Sequence, residues 1–398
     1  MSADSLERAF RDERGAVLAT ITRRLDGDLA LAEDVVQDAF VAAAVEWDRR
    51  GVPDRPGAWL TTTAWRKALD RLRHQRVVDA HALELEEPVT YDEIDFEQSL
   101  LDDDQLRMLF TCCHPALAPE ARMALTLRSV AGLTVPEIAR AFISSEEAME
   151  RRLTRARNKV SKGRIPFKVP SDDLLPERLA GVLRVVYLVF NEGHASTREE
   201  LRAEGVRLAR LLVRLMPDVA EAYGLLALLL LTDARSPARN RGAELVSLEE
   251  QDRARWDHTR IAEGVAVLER ALRLPGAGAY SIQAAIAALH DQAPSFADTD
   301  WAQIAGLYVA LARVDPSPVV TINRAVAVGF AEGPAAGLAL LDAVEGLERY
   351  QSLHAARAEL LRRLGDVPGA DAAYQVAISL SAHEKERAAL EWKRASLG

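Results

Sequence analysis

Between Val77 and Leu106 the chain carries eleven Asp or Glu side chains and no Lys or Arg. A run of one charge sign repels itself and stays in water, so it predicts a solvated linker and cuts the chain into separate helical blocks. The flanks differ in charge. Residues 1–76 balance 13 basic against 13 acidic side chains, residues 107–171 carry 12 against 5, and residues 172–398 carry 25 against 31. A second boundary lies in RIPFKVPSDDLLPE (164–177), where Pro166, Pro170 and Pro176 lack amide donors and disfavour helix in their predecessors. The expected divisions are 1–76, an acidic linker 77–106, 107–165, and 172–398. The linker's charge also suits a polyanion mimic that lies in a basic channel.

Alanine and leucine dominate and β-branched runs are short, so the predicted fold class is all-α. A hydrophobic fraction of 49% over 398 residues supplies several cores and excludes wholesale disorder. The net charge of −10 excludes a generic nucleic-acid polycation. Cys112 and Cys113 are adjacent and cannot supply a four-ligand site, and His114 beside them points elsewhere on a helix, so no metal is expected. The two thiols read as buried groups in a reducing compartment. YGLLALLLL (223–231) is too short to span a membrane, and the polar N-terminus has no apolar leader, so a cytoplasmic location without membrane contact is expected.

In the first block, LALAEDVVQDAFVAAAVEW (29–47) puts Leu29, Ala32, Val36, Ala39, Phe40 and Ala43 on one helical face and Glu33, Asp34, Gln37 and Asp38 on the other. After the loop GVPDRPG (51–57), AWLTTTAWRKALDRLRHQ (58–75) resumes as a basic helix. Trp59, Trp65, Arg66, Lys67, Arg71 and Arg73 interleave rings with cations, which suits stacking on exposed bases while charges hold phosphates. A solvated basic face with two structural tryptophans gives the same pattern.

The third block contains LTVPEIARAFISSEEAMERRLTRARNKV (133–160), the pattern of a helix-turn-helix. Thr134 is placed to cap the first helix, Pro136 suits its first turn, and Ser145 recaps the chain with Glu147 as the acid of a capping box. The second helix buries Ala148, Met149, Leu153, Ala156 and Val160. On a helix entering the major groove, Glu147, Glu150 and Arg151 would reach base edges, and the later arginines would grip phosphates. An amphipathic hairpin with a charged face is the plainer alternative.

In the fourth block, GFAEGPAAGLALLDA (329–343) and RLGDVPGADAAYQVA (363–377) superpose at an offset of 34, the tetratricopeptide period. LMPDVAEAYGLLALL (215–229) and VDPSPVVTINRAVAV (314–328) start like further hairpins, so a stacked array with a concave binding surface is expected. Asn191, Glu192 and His194 follow an apolar run, without a nucleophile or metal-spaced partner nearby. They read as a loop that satisfies helix ends or touches the neighbouring block. Asp252, Arg253 and Trp256 sit in a long polar connection (233–257), read as a regulatory contact or a mobile surface loop.

Taken in order, these segments resemble an ECF-type RNA polymerase sigma factor of the sigma-70 family, in the group with a long TPR-like extension. AEDVVQDAF resembles the helix laid on the polymerase clamp, which implies contact through Asp34, Gln37 and Asp38. The loop from Trp47 to Gly57 takes the place of the −10 specificity loop. AWLTTTAWRKALDRLR is similar to the promoter-melting helix, departing from it at Thr61–Thr63 and Trp65. The resemblance implies −10 contacts from Trp47, Trp59, Trp65, Arg66, Lys67, Arg71 and Arg73. GLTVPEIA and RLTRAR are similar to region 4, implying −35 contacts from Glu147, Glu150, Arg151, Arg152, Arg155 and Arg157. YLVFNEGHAS, SLEEQDRARWDHTRIAEG and SIQAAIAALH resemble the extension, with Asn191, Glu192, His194, Asp252, Arg253 and Trp256 as regulatory contacts. The implied activity is promoter-specific initiation with core RNA polymerase (clamp and flap) and promoter DNA as partners, an anti-sigma protein as a further one, no cofactor and no catalysis. The rival readings are a helix-turn-helix regulator with a TPR interaction domain that does not bind polymerase, and an enzyme built on Glu192 and His194.

Overall fold

A computed structural model describes residues 3–80, 98–142, 144–163, 165–195, 198–241, 244–381 and 384–397. The chain forms two compact units, Met1–Leu215 and Met216–Gly398. The fold is all-α. The described residues add one antiparallel ladder of two-residue strands, β1 (Asn240–Arg241) and β2 (Glu244–Leu245).

The first unit contains α1 (Ala3–Arg24), α2 (Leu29–Arg50), α3 (Pro56–Ala80), α4 (Gln98–Cys112), α5 (Pro119–Ser129), α6 (Val135–Ala141), α7 (Glu146–Lys162), α8 (Leu175–Ala195) and α9 (Glu199–Leu215). Asp28 caps α2 by accepting from the Leu31 amide at 3.0 Å, and the apolar face expected for this helix is buried throughout. α1, α2 and α3 pack on one another, with Leu60, Ala64 and Ala68 of α3 fully buried. The small side chains on α3 let the helix axes approach closely.

Residues 81–97 of the expected acidic linker lie outside the described residues. Its two ends are helical, since α3 runs to Ala80 and α4 starts at Gln98. Asp104 is not solvated. It is buried, and it accepts from Arg23 and from Arg107, each at 2.9 Å. A charged residue near a helix start reads as surface in sequence, and only these two tertiary partners reveal its burial.

α5, α6 and α7 form the helix-turn-helix block. Thr134 and Glu137 make a reciprocal capping box at the start of α6, and Ser145 caps α7 by accepting from Ala148 at 3.2 Å. Glu147 does not complete a second box; it reaches forward to Arg151 at 2.7 Å. The extended Pro-rich segment then leads into α8. The expected fourth block divides at this point, because α8 and α9 pack on each other and on α4 and α5, so the compact unit ends at Leu215. Gly193 and Gly205 make the α8–α9 approach possible. A Cβ at Gly193 would sit 2.6 Å from the Arg202 amide nitrogen, and one at Gly205 2.7 Å from Phe190.

The second unit contains α10 (Ala220–Ala234), α11 (His258–Arg273), α12 (Ala279–Gln292), α13 (Trp301–Val314), α14 (Pro318–Ala331), α15 (Pro334–Asp342), α16 (Gln351–Leu364), α17 (Val367–Leu380) and α18 (Glu384–Ala395). The apolar YGLLALLLL run lies in α10, an interior helix packed by α11 and α12. No helix among the described residues is long and apolar enough to cross a membrane. From α12 onward, successive helices bury successive small cores, each shared with its neighbours only, as a solenoid does. The 34-residue repeat falls on α14–α15 and α16–α17. Pro334 and Pro368 occupy the first turn of α15 and α17, and Gly333 and Gly365 turn the chain at positive φ.

Candidate nucleic-acid interface

Helix α3 carries a cationic face to solvent. Arg66 and Arg73 are exposed on it, Lys67 is half-buried, and Arg73 lies 3.7 Å from Asp70. Arg71 is tied down, donating to Asp38 at 2.7 Å and to Asp34 at 3.2 Å on α2. Of the four cations expected at the melting strand, Arg73 is thus paired within its own helix, and Arg71 is paired with two of the three residues expected to meet the clamp. Gln37 and Asp34 are exposed on α2. Val41 (62% exposed) and Val45 (55%) continue the same face at helical spacing.

The tryptophans divide. Trp59 and Trp65 are half-buried, with Trp65 under the Arg24 guanidinium at 5.3 Å. Trp47 is 1% exposed and meets the edge of Trp59 at 5.4 Å. Trp47, expected at the −10 contact, is therefore not open to solvent in this structure. It closes the lower end of α2 as a core side chain and supports Trp59 from behind.

Helix α7 buries Met149, Leu153, Ala156 and Val160, with Ala148 only half-buried, and turns Glu146, Glu147, Glu150, Arg151, Arg155, Lys159 and Lys162 to solvent. Glu147 pairs with Arg151, so two of the residues expected to reach base edges are joined to each other at the helix N-terminus. Arg152 is half-buried. Arg157 is not free: it donates to Glu150 at 3.0 Å and to Glu33 of α2 at 2.5 Å. Glu33 is 5% exposed and also accepts from Ser129 at 3.4 Å. The helical wheel puts Glu33 with the solvent-facing acids, and the structure corrects this, because α7 covers that edge of α2. Burial works to lower the pKa of Arg157, yet Glu33 and Glu150 outweigh it and hold the guanidinium above its ordinary value.

Other arginines that sequence reasoning passed over hold the block in place. Arg14 of α1, 3% exposed, donates to the Arg128 carbonyl at the end of α5, and burial lowers its guanidinium to about 10. From α8 and α9, Arg178 donates to the Phe110 carbonyl at 2.7 Å, Arg207 to Val130 at 3.4 Å, and Arg214 to the Gln105 side chain at 2.9 Å. Arg198, in the turn between those helices, donates to the Ala141 carbonyl at the end of α6. Several of these carbonyls end helices, where cations complement the dipole. Long arginines pointing at carbonyls leave no periodic trace in a sequence.

Asn191, Glu192 and His194 lie in the last turn of α8, not in a loop, and His194 stacks on Phe190 at 5.9 Å. Asp252, Arg253 and Trp256 fold inside the second unit. Asp252 caps a short turn by accepting from Ala254. Arg253 donates to His290 at 2.5 Å and to Ala293 at 2.8 Å, closing the end of α12, and its guanidinium lies 4.4 Å over the Trp256 ring, itself 4% exposed. For Arg253 and Trp256 the expected surface contact gives way to an internal staple. Cys112 and Cys113 are buried and free, with burial pushing the Cys113 thiol up to about 11. Among the described residues no His, Cys, Asp and Glu group is placed to hold a metal.

Residues 10–77 match the family model Sigma-70 region 2, and residues 107–160 match Sigma-70, region 4. Residues 178–272 match a family of unknown function, DUF6596. An uncharacterized protein of Rhizobium meliloti (strain 1021) is 44% identical over 377 residues, 91% of this chain and 88% of the relative. The RNA polymerase sigma factor CnrH of Cupriavidus metallidurans is 32% identical over 171 residues, 40% of this chain and 88% of that protein. The probable ECF RNA polymerase sigma factor SigI of Mycobacterium tuberculosis is 28% identical over 208 residues, 51% of this chain and 69% of that protein.

Proposed function

The chain belongs to the ECF-type sigma factors of the sigma-70 family, and on that premise we propose that it directs bacterial core RNA polymerase to promoters through two separate contacts. The outward face of α2, with Asp34, Gln37, Val41 and Val45, docks on polymerase. Its charges set orientation and its two exposed valines supply apolar contact. The basic face of α3 with Trp59 and Trp65 meets melting DNA, and α7 meets the upstream duplex. The observation that carries this reading is the open cationic face of α7, Arg151, Arg155, Lys159 and Lys162, on a helix-turn-helix capped at both helices.

The remainder of the chain regulates these modules. The α8–α9 hairpin packs on α4 and α5 and bonds to α6, so the extension has a direct physical handle on the helix-turn-helix block. Run-off transcription with purified core polymerase tests the function. Transcripts that depend on this chain, and that fall when Val41 is replaced by Glu, are the expected result. Promoter binding by the chain alone, with no binding to core polymerase, would instead favour a conventional helix-turn-helix regulator.

A further inference from the structure

We propose that Glu33 is an internal competitor for DNA: its buried carboxylate holds Arg157 of the recognition helix in the free chain and gives it up to a phosphate when α7 enters the groove. This rests on the reading of α7 as a DNA-binding helix. Three α2 carboxylates hold two candidate DNA-binding arginines, and burial separates the two pairings. Asp34 and Asp38 grip Arg71 at the surface, where both sides of the pair are 41–65% exposed, and such pairs exchange readily with solvent. Glu33 differs. Its side chain is 5% exposed, its partner's 22%, and the contact is 2.5 Å. Ser129 donates to the second carboxylate oxygen, so the acceptor is fixed before the arginine arrives.

The geometry sets Glu33 as a positioning residue that acts through Arg157. While the pair is closed, the guanidinium is drawn toward α2 and its charge is neutralised. One arm of the guanidinium meets Glu33 and the other meets Glu150, and a phosphate offers the fork acceptors of the same charge, so the exchange needs no new type of interaction. Opening leaves Glu33 buried with only Ser129, and that cost opposes DNA binding by the free chain. Contacts with polymerase that draw α2 away from α7 would remove it.

The test is fluorescence anisotropy of the full chain on a short labelled duplex of arbitrary sequence across a salt series, with circular dichroism on every variant. Glu33→Gln keeps the shape and Ser129's partner but takes the buried charge away from Arg157, which is then held only by Glu150 and Thr154 of its own helix. Log affinity changes by about 0.9 per decade of salt for each phosphate contact, so one released arginine steepens the slope by about 1 and tightens binding about eightfold near 0.1 M salt. Glu46→Gln removes the same charge from an exposed site on the same helix and should leave the slope unchanged. Glu33→Asp retains the buried charge while drawing it back from Arg157, and should move affinity in the same direction if Glu33→Gln folds poorly. In an Arg157→Ala background the effect of Glu33→Gln should vanish. If Arg157→Ala weakens binding but neither Glu33 variant strengthens it, the competitor role is wrong. If Arg157→Ala and the Glu33 variants all bind as the wild type does, α7 is not the DNA-binding helix and both readings fall.

Discussion

Gly15 sits where α1 meets the end of α5, and the space there is already closed. A Cβ built on Gly15 would lie 2.4 Å from the Val130 carbonyl oxygen, against a carbon–oxygen contact of about 3.3 Å. The opposing atom is backbone, so no rotamer change relieves the overlap, and Gly15→Ala must move α1 away from α5 by about 1 Å. Overpacking of this kind costs about 1–3 kcal/mol. The displaced residue is the neighbour of Arg14, whose buried guanidinium donates to Arg128, and weakening a charge-assisted bond adds up to about 3 kcal/mol. The expected loss is therefore about 2–5 kcal/mol in the first unit, a fall of roughly 5–15 °C in its melting temperature. Hydrogen exchange should locate the effect, with faster exchange in α1 and at the end of α5 while α3 keeps its protection. An unchanged melting temperature together with unchanged exchange at Val130 would refute the close approach on which the estimate depends.

A stop codon after Lys168 removes α8 and α9 from a unit they help to close, and it should give an aggregation-prone product. A stop after Leu215 should give a folded one, a contrast that limited proteolysis and size-exclusion chromatography decide. In the second unit, burial raises the Asp291 carboxyl to about 6 against the pull of Arg235 and Arg253, and burial lowers His290 to about 4. A raised acid is costly above its folded value and recovers stability on acidification, whereas a lowered histidine loses stability as the pH falls from about 6.5 toward 4. The two effects, each about 2–3 kcal/mol, oppose one another in the wild type. Asp291→Asn should raise stability at pH 7, and that gain should shrink toward zero as the pH falls to about 4.5 and the wild-type carboxyl takes up its proton. Denaturant melts at the two pH values check the sign, and a variant that parallels the wild type would exclude it.

Helical periodicity was enough to place the buried faces of α2 and α7, because alternation between apolar and polar positions is a local property. Thr134 and Ser145 were legible as caps for the same reason, since a hydroxyl bonding an amide three residues on needs only local chain. The offset of 34 located two hairpins through Pro334 and Pro368. What escaped was set by partners far along the chain. Glu33 differs from Asp34 only in which neighbour covers it, and that neighbour, α7, lies 124 residues away at Arg157. Trp47 and Trp59 are both aromatic and both beside the loop, yet only packing decides which ring is enclosed. Arg253 looked like a surface cation until α12 supplied carbonyls for it to close. The membership of α8 and α9 was hidden because an amphipathic helix does not name the surface that receives it.

The proposed function needs α3 and α7 apart on a promoter, while here the two helices share a compact unit. The character of the contacts reconciles these facts. Between α2 and α7 the named bond is the ion pair of Glu33 and Arg157, and between α1 and α5 it is Arg14 on a carbonyl. Opening such a buried bond costs about 1–3 kcal/mol, and a new polar partner can recover it, whereas the apolar cores within each module have no such substitute. On the proposed reading the parting falls between α2 and α7, where the Glu33–Arg157 pair is the polar contact to be exchanged. The cationic face of α3 is packed only on its opposite side, by α1 and α2, and needs no such opening to reach DNA. On the proposed reading it is α7, with Arg157 held by Glu33, whose release comes first.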